Sequence, residues 1–209
     1  MTATGVSPRV SQRALVVSFG TRTLGQCQPQ IWAARRLRDT CWPPQVRLSK
    51  WERDKAFSAD LAKEAVWEAT RHMRAPDVRL DEVFLVNCTG LHDPGNNTGH
   101  IGTHPDTMAA SMEQRAMTAD VVPDVRHALG RLDRSKVIAV YCNSGEHRSV
   151  AVAEMVFRLC VRLGFDADKR DLCNKLWQRR GCGCCSVCAP SRTNYVRDQA
   201  CEKFVNFCL

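Results

Sequence analysis

The residues best suited to chemistry lie in one short stretch, 142–149, which reads Cys-Asn-Ser-Gly-Glu-His-Arg-Ser. Cys142 is followed by five residues and then by Arg148 and Ser149. The apolar run 136–142 precedes this stretch, and a helical pattern over about 146–163 follows it. A turn from a strand into a helix directs backbone N–H groups and the positive end of the helix at one point. The stretch therefore predicts an anion-binding loop.

Each residue type in this loop has a role in the prediction. Gly145 permits a turn with positive φ and a close approach of the ligand. Arg148 can hold a phosphate through two parallel hydrogen bonds. Hydroxyl groups and backbone N–H groups would complete the cradle, although Gly and Ser also serve in ordinary turns. The predicted ligand-binding residues are Cys142, Asn143, Ser144, Gly145, Glu146, His147, Arg148 and Ser149, joined by His92 and Thr103.

Cys142 itself has two interpretations. In the same electropositive loop a thiolate would be favoured, and the spacing Cys-x5-Arg-Ser resembles the signature of protein tyrosine and dual-specificity phosphatases. That resemblance implies a catalytic Cys142 as nucleophile and Arg148 as phosphate clamp, with Asp93 or Asp106 as the acid. The alternative is a small apolar residue buried at the end of a strand.

A second resemblance covers more of the chain, roughly 14–165. The string YCNSGEHRSVAVAEMV is similar to the C-terminal domain of the RNase adapter protein RapZ family, as are VVSFG (16–20) and FLVNCTGLHDPG (84–95). It implies a non-catalytic α/β domain that binds a phosphorylated small molecule, by analogy an amino-sugar phosphate, with RNA as a further partner. The P-loop pattern expected of that adapter's N-terminal domain does not occur in the sequence. The matching positions are Cys142, Gly145, His147, Arg148, Ser149, Val150, Ala153 and Glu154.

The elements that must position the loop alternate between strands and helices. Strands are predicted at 14–19, 81–88 and 136–142. Helices are predicted around 31–39, from the cap Ser58 to about residue 73, over 107–132 with a break near Pro123, over 146–163, and from about Asn194. This order predicts an α/β fold with a mostly parallel sheet flanked by helices and a small Cys-rich C-terminal appendage. The predicted organisation is a flexible N-terminus (1–13), a domain at 14–170 with an insertion within 21–80, and a final segment at 171–209.

The charge balance favours anionic partners. The formal net charge is +8 and the pI is about 9.0, which suits phosphorylated metabolites, nucleotides or RNA, or else an ordinary basic surface. Aromatic residues make up only 7% and form no obvious stacking motif for RNA. Neither an apolar run long enough to span a membrane nor a secretory signal is recognisable, so we expect an intracellular, cytoplasmic protein without a membrane partner.

Two further groups of residues could bind ligands or metals. The polar stretch 89–106 contains His92, His100 and His104 with two aspartates, and predicts a loop beside the phosphate cradle; the alternative is a solvent-exposed loop. The chain has 12 cysteines, four of them in GCGCCSVC at 181–188. Spacings of the type Cys-x2-Cys predict a structural zinc ion, with reduced thiols or a redox pair as alternatives. The predicted zinc ligands are Cys182, Cys185, Cys188 and Cys173, with Cys201 as a substitute for the last.

Overall fold

The computed structural model describes residues 12–21, 59–94, 100–174, 186–189 and 193–209. Four β-strands and five α-helices alternate along this part of the chain. A 3-10 turn at Leu80–Glu82 precedes β2, and a π-helical turn at Met117–Val121 precedes α3. In chain order the elements are β1 Arg13–Gly20, α1 Ala59–Ala69, β2 Val83–Asn87, α2 Pro105–Met112, α3 Val122–Leu129, β3 Lys136–Cys142, α4 Arg148–Arg162, β4 Asp166–Asp171 and α5 Tyr195–Cys208.

The four strands form one parallel sheet in the order β2-β3-β1-β4. Gly20 at the end of β1 pairs with Cys142 at the end of β3, and Asn87 of β2 pairs with Tyr141. The carboxyl ends of these three strands therefore meet at the same edge of the sheet. The predicted α/β fold with a parallel sheet is confirmed.

Helices cover both faces of the sheet, as a parallel sheet requires. Alternate residues of each strand point to opposite faces. Residues from α2, α3, α4 and α5 form one core with one face, and residues from α1 pack in the core on the other face. The strand residues in the first core include Val16, Val86, Ile138 and Val140, and those in the second include Val17, Phe19, Val83, Val137 and Ala139.

The connections that follow β1 and β3 run in opposite directions across the sheet. The chain leaves β1, packs α1 on one face and continues to β2, beyond β3. It leaves β3, packs α4 on the other face and continues to β4, beyond β1. Neighbouring strands whose connections depart in opposite directions form a switch point, where open α/β sheets bind ligands. The loop 143–147 lies at this point.

Strand β4 was not predicted, because its sequence, Asp-Ala-Asp-Lys-Arg-Asp, has no apolar pattern. It forms a strand because it pairs with the edge of β1 and because its charged side chains have ionic partners on β1 and α4. Arg13 lies 3.3 Å from Asp166, and Lys169 lies 2.9 Å from the buried Glu154 of α4. Tertiary contacts outweigh the weak local preference here.

One predicted helix boundary was wrong. The helix expected to reach residue 73 ends at Ala69. The N–H of Thr70 still donates to the carbonyl of Val66, but that of Arg71 reaches only three residues back, to Glu68, so the regular helical bonding stops there. The interruption expected near Pro123 takes the form of the π-helical turn Met117–Val121, which leads directly into α3 with Pro123 in its first turn. The predicted helix at 31–39 and the cap Ser58 lie outside the described residues.

No helix in the described part of the chain is long and apolar enough to cross a membrane.

The terminal helix α5 begins where it was predicted to begin. The side chain of Asn194 accepts a hydrogen bond from the N–H of Arg197 and caps it. Apolar residues of α5, among them Phe204 and Val205, belong to the same core as α4. This helix is therefore packed on the sheet domain.

Candidate anion-binding site

The loop 143–147 packs closely against the end of β1 at Gly145. Gly145 has a φ of +71°, a conformation that L side chains rarely adopt. A Cβ on Gly145 would lie 2.4 Å from the nitrogen of Gly20, too close for any side chain. The N–H of Thr21 donates to the carbonyl of Cys142 at 2.9 Å and joins the two strand ends. The turn after β3 therefore depends on glycine both for its conformation and for its packing.

Helix α4 begins directly after this turn. His147 occupies the N-cap position without making a side-chain capping bond, and the first turn contains no acidic residue. The aligned peptide dipoles of a helix amount to roughly half a positive charge at its start. The turn places this end beside the ends of β1 and β3, so the helix dipole favours an anion there, whereas the carboxylate of Asp93 lies close to His147.

Arg148 is buried, with 6% of its surface exposed. Its Nη1 donates to the carbonyl oxygens of Thr89 at 2.9 Å and Leu91 at 2.8 Å, in the turn that follows β2. Its Nε is buried and makes no hydrogen bond with the described residues. The guanidinium is thus fixed by the neighbouring strand end and keeps an unsatisfied donor, which is unusual for a buried polar group.

Cys142 lies beneath the loop and is 1% exposed. Its Sγ accepts a hydrogen bond from the N–H of Gly145 at 3.2 Å and lies 3.2 Å from the hydroxyl oxygen of the buried Ser149. Cys88 follows β2 in the same core, and complete burial raises the pKa of its thiol. The two thiols fill the base of the site, and Cys142 is bound into the turn itself.

His147 and Asn143 complete the interior of the loop. Nδ1 of His147 lies 2.9 Å from Oδ1 of Asp93, a close contact whose alignment is not that of a hydrogen bond. The buried Asn143 leaves its side-chain oxygen without a hydrogen-bond partner among the described residues. Of the two predicted acids, Asp93 therefore contacts the loop. Asp106 is exposed in the first turn of α2, and its N–H donates to His104.

Besides the turn 143–147 and the end of β1, the segment 100–104 forms a third wall of the site. This segment packs on the start of α4. The N–H of Gly102 donates to the carbonyl of Glu146 at 2.9 Å. A Cβ on Gly102 would lie 2.0 Å from the carbonyl oxygen of His147. This role of Gly102 was not predicted, because a glycine in a loop is its only local signal.

The structure places the two predicted ligand residues from the 89–106 stretch outside the turn itself. The hydroxyl of Thr103 donates to the carbonyl of Cys188 at 2.6 Å, so it ties the third wall to the C-terminal part of the chain. The backbone of His92 is held by the side chain of Gln114, and the residue is exposed. Thr103 thus supports the third wall, and His92 is an exposed residue outside the turn.

The predicted zinc ligands are distributed over two regions. Cys182 and Cys185 lie outside the described residues. Cys173 is buried in the core that contains Leu15 and Phe19, on the α1 face of the sheet. Cys188 lies beside the segment 100–104, with its sulfur 3.5 Å from Nδ1 of His100. Within the described ranges, no three residues of the types His, Cys, Asp and Glu are grouped as a metal site.

The start of α4 adjoins the turn 143–147 and carries the buried Arg148, whose guanidinium is fixed by the turn after β2. The helix dipole and an arginine are features that favour an oxyanion. No protein-family model matches the chain, and it has no match among the curated proteins or the solved structures.

Proposed function

We propose that the chain is a non-catalytic domain that binds a phosphorylated small molecule, a sugar phosphate or a nucleotide, in the turn 142–149. The observation that carries the proposal is the buried Arg148 at the uncapped start of α4. Its Nε has no hydrogen-bond partner among the described residues. A buried donor left in this way loses about 1–3 kcal/mol, which an anionic ligand would recover.

The phosphate would lie over the turn, at the start of α4. Backbone N–H groups of the turn would donate to its oxygens, with Arg148 and the hydroxyl of Ser144 beside them. The position at the switch point leaves the rest of the ligand directed towards the ends of β1 and β2, which is where such sheets hold the non-phosphate parts of their ligands. The resemblance to the RapZ C-terminal domain supports an amino-sugar phosphate as the first compound to test.

The same resemblance and the net charge of +8 support RNA as a second partner of the domain. Contacts to RNA phosphates release counterions, so binding would weaken steeply with salt. We expect filter retention of a structured RNA at low salt and its loss as salt rises. Retention that is weak and independent of salt would remove RNA from the proposal.

A cysteine-dependent phosphatase is the competing function. It is favoured by the hydrogen bond from Gly145 to Cys142 and by the nearby hydroxyl of Ser149, both of which would stabilise a thiolate. In that reaction the thiolate would form an S–P bond as the P–O bond breaks, and an acid would protonate the leaving oxygen. Two contacts argue against a phosphatase. Nη1 of Arg148 is already hydrogen-bonded to two backbone carbonyl groups, and the carboxylate of Asp93, the acid that the reaction would need, lies against His147.

Thermal unfolding with inorganic phosphate, glucosamine 6-phosphate and unphosphorylated glucosamine tests the proposal. A ligand at about 100 times its Kd stabilises the folded state by about 2.7 kcal/mol. For a chain of this size that corresponds to roughly 5–10 °C. We expect this shift with the phosphorylated compounds only, and its loss in Arg148→Ala. No shift in wild type with any of the phosphorylated compounds would refute the proposal.

The matched control is Arg162→Ala, at the other end of the same helix, where the exposed arginine pairs with Glu202. This variant should keep the shift. Because Arg148 also supports the turn after β2, circular dichroism must show that Arg148→Ala is folded, and Ser144→Ala gives a milder second test. Hydrolysis of an aryl phosphate by wild type, abolished in Cys142→Ser, would establish the phosphatase instead.

A further inference from the structure

Three buried side chains at the start of α4 have polar atoms that make no hydrogen bond with the described residues. These atoms are Oδ1 of Asn143, Nδ1 of His147 and Nε of Arg148. The three residues are 7%, 8% and 6% exposed. Only three other buried side-chain atoms in the described part of the chain share this property, and they lie on three separate elements. Because native proteins leave few buried polar groups unpaired, this concentration within six residues indicates a ligand that supplies the hydrogen bonds.

The atoms of Asn143 and Arg148 differ in what they require from a ligand. Nε of Arg148 is always a donor and needs an acceptor, such as the oxygen of an oxyanion. Oδ1 of Asn143 is only an acceptor and needs a donor. A fully deprotonated oxyanion has no hydrogen to give, so it satisfies the arginine but not the amide oxygen. A ligand group that satisfies both must carry an acceptor and a donor together.

Asn143 and Arg148 stand at the two ends of one short, fixed segment of backbone. Asn143 directly follows β3, and Arg148 is the first residue of α4. Between them, the N–H of Gly145 donates to Sγ of Cys142 and closes the turn. The guanidinium of Arg148 is held in place by the turn after β2. Little movement of either residue is therefore open to the chain when a ligand binds.

The carboxylate of Asp93 is a second acceptor at this turn. Its Oδ1 lies 2.9 Å from Nδ1 of His147, and both side chains are mostly buried. A negative charge in this position repels an anion, and the repulsion grows with the charge of the anion. An oxyanion that keeps a proton carries less charge than one that has lost it. Asp93 thus acts in the same direction as Asn143.

We propose that the turn 142–149 binds a phosphate group that retains a proton, with the P–OH donating to Oδ1 of Asn143 and another oxygen accepting from Nε of Arg148. This inference rests on the proposed function and narrows its ligand. Phosphate and phosphate monoesters keep a proton near neutral pH, because the second pKa of a monoester is about 6. Sulfate and phosphodiesters have none. Asn143 is then the residue that sets the specificity among tetrahedral anions.

Thermal unfolding of the full chain with inorganic phosphate and with sulfate at pH 7 tests this inference. Sulfate has the shape of phosphate and at least as much charge, but it has no proton. We expect stabilisation by phosphate, and an apparent Kd for sulfate that is at least roughly fivefold higher because the buried acceptor stays unpaired. Equal stabilisation by both anions would mean that the amide of Asn143 presents its NH₂ group, and would overturn the inference while the oxyanion site stands. No stabilisation by phosphate, sulfate or glucosamine 6-phosphate would refute the proposed function itself.

Variants of Asn143 identify the discriminating group. In Asn143→Ala the acceptor is gone, so the preference for phosphate should fall towards equal binding of both anions. In Asn143→Asp the carboxylate accepts and cannot donate, so the preference should persist although the added charge weakens both anions. Asn206→Ala, which removes an exposed amide from α5, is the control and should keep the wild-type ratio. An unchanged ratio in Asn143→Ala would overturn the role of Asn143, and the comparison in wild type decides the need for a proton if a variant does not fold.

Discussion

The substitution Gly102→Ala adds one methyl group at the contact between the third wall and the start of α4. The new Cβ would lie 2.0 Å from the carbonyl oxygen of His147, 2.5 Å from the nitrogen of Ala151 and 2.8 Å from Cβ of Val150. Two of these three atoms belong to the backbone of the turn and of α4, so no side-chain rotation relieves the contact. The backbone of Gly102 has no positive φ, and the effect is therefore purely steric.

The size of the effect follows from these contacts. Cβ contacts under 3.0 Å are essentially never seen, so the wall must move by at least 3.0 − 2.0 = 1.0 Å. Overpacking of this kind costs about 1–3 kcal/mol. Loss of the hydrogen bond from Gly102 to Glu146 adds about 0.5–1.5 kcal/mol. We expect a destabilisation of about 3 kcal/mol, which lowers the Tm of a chain of this size by roughly 6–12 °C.

Thermal and urea unfolding of wild type, Gly102→Ala and Gly90→Ala measure this effect. Gly90 is the control, because a Cβ there would meet only Asp120 at 3.4 Å and Ala116 at 4.0 Å, which are ordinary contacts. Below its Tm, Gly102→Ala should also lose stabilisation by phosphate, since the displaced wall bonds to the turn. If Gly102→Ala melts within about 2 °C of Gly90→Ala, the reasoning from close packing is wrong.

Three further substitutions test the supports of the domain. Burial would raise the pKa of Glu154, but its ion pairs with Lys169 and Arg158 outweigh burial and hold it below the ordinary value of 4.5. Glu154→Gln should therefore destabilise at pH 7, and its difference from wild type in urea unfolding should shrink as the pH falls below 4.5 and through the depressed pKa; a difference that stays constant down to the acid limit of the folded state would contradict this. Asn194→Ala removes the cap of α5 and should cost about 1 kcal/mol in urea unfolding, whereas an unchanged midpoint would show that the cap adds nothing. Arg197→Met breaks two hydrogen bonds to the segment 186–189 and should cost about 3 kcal/mol and speed proteolysis there; equal cleavage rates would argue against this support.

The parts of the fold that the sequence predicted are those with local signals. The apolar run of β3 is buried along its whole length, and α4 ends beside Gly164, whose φ of +87° is typical of a helix end. Asn194 caps α5 as predicted. In each case the residues that specify the element belong to it or directly adjoin it. Local pattern is then sufficient.

The parts that escaped prediction depend on partners distant in the chain. Nothing in the sequence of β4 indicates a strand until β1 is beside it. At the site, the cluster of polar groups in 142–149 was recognisable, whereas the walls were not. Gly102 meets the turn through a contact between segments about 45 residues apart in the sequence, and such packing leaves no local pattern.

Strand β4 also bears on how copies of the chain behave towards one another. Its partner β1 is an eight-residue strand in which seven residues are buried, and such a strand would template pairing with another molecule if its edge were open. The strand that occupies this edge has five charged residues of six, with both signs present. A strand from another molecule would pair poorly with an edge strand that carries so many charges. The charges of β4 thus disfavour self-association through this edge of the sheet, a benefit that measurements of unfolding alone would not reveal.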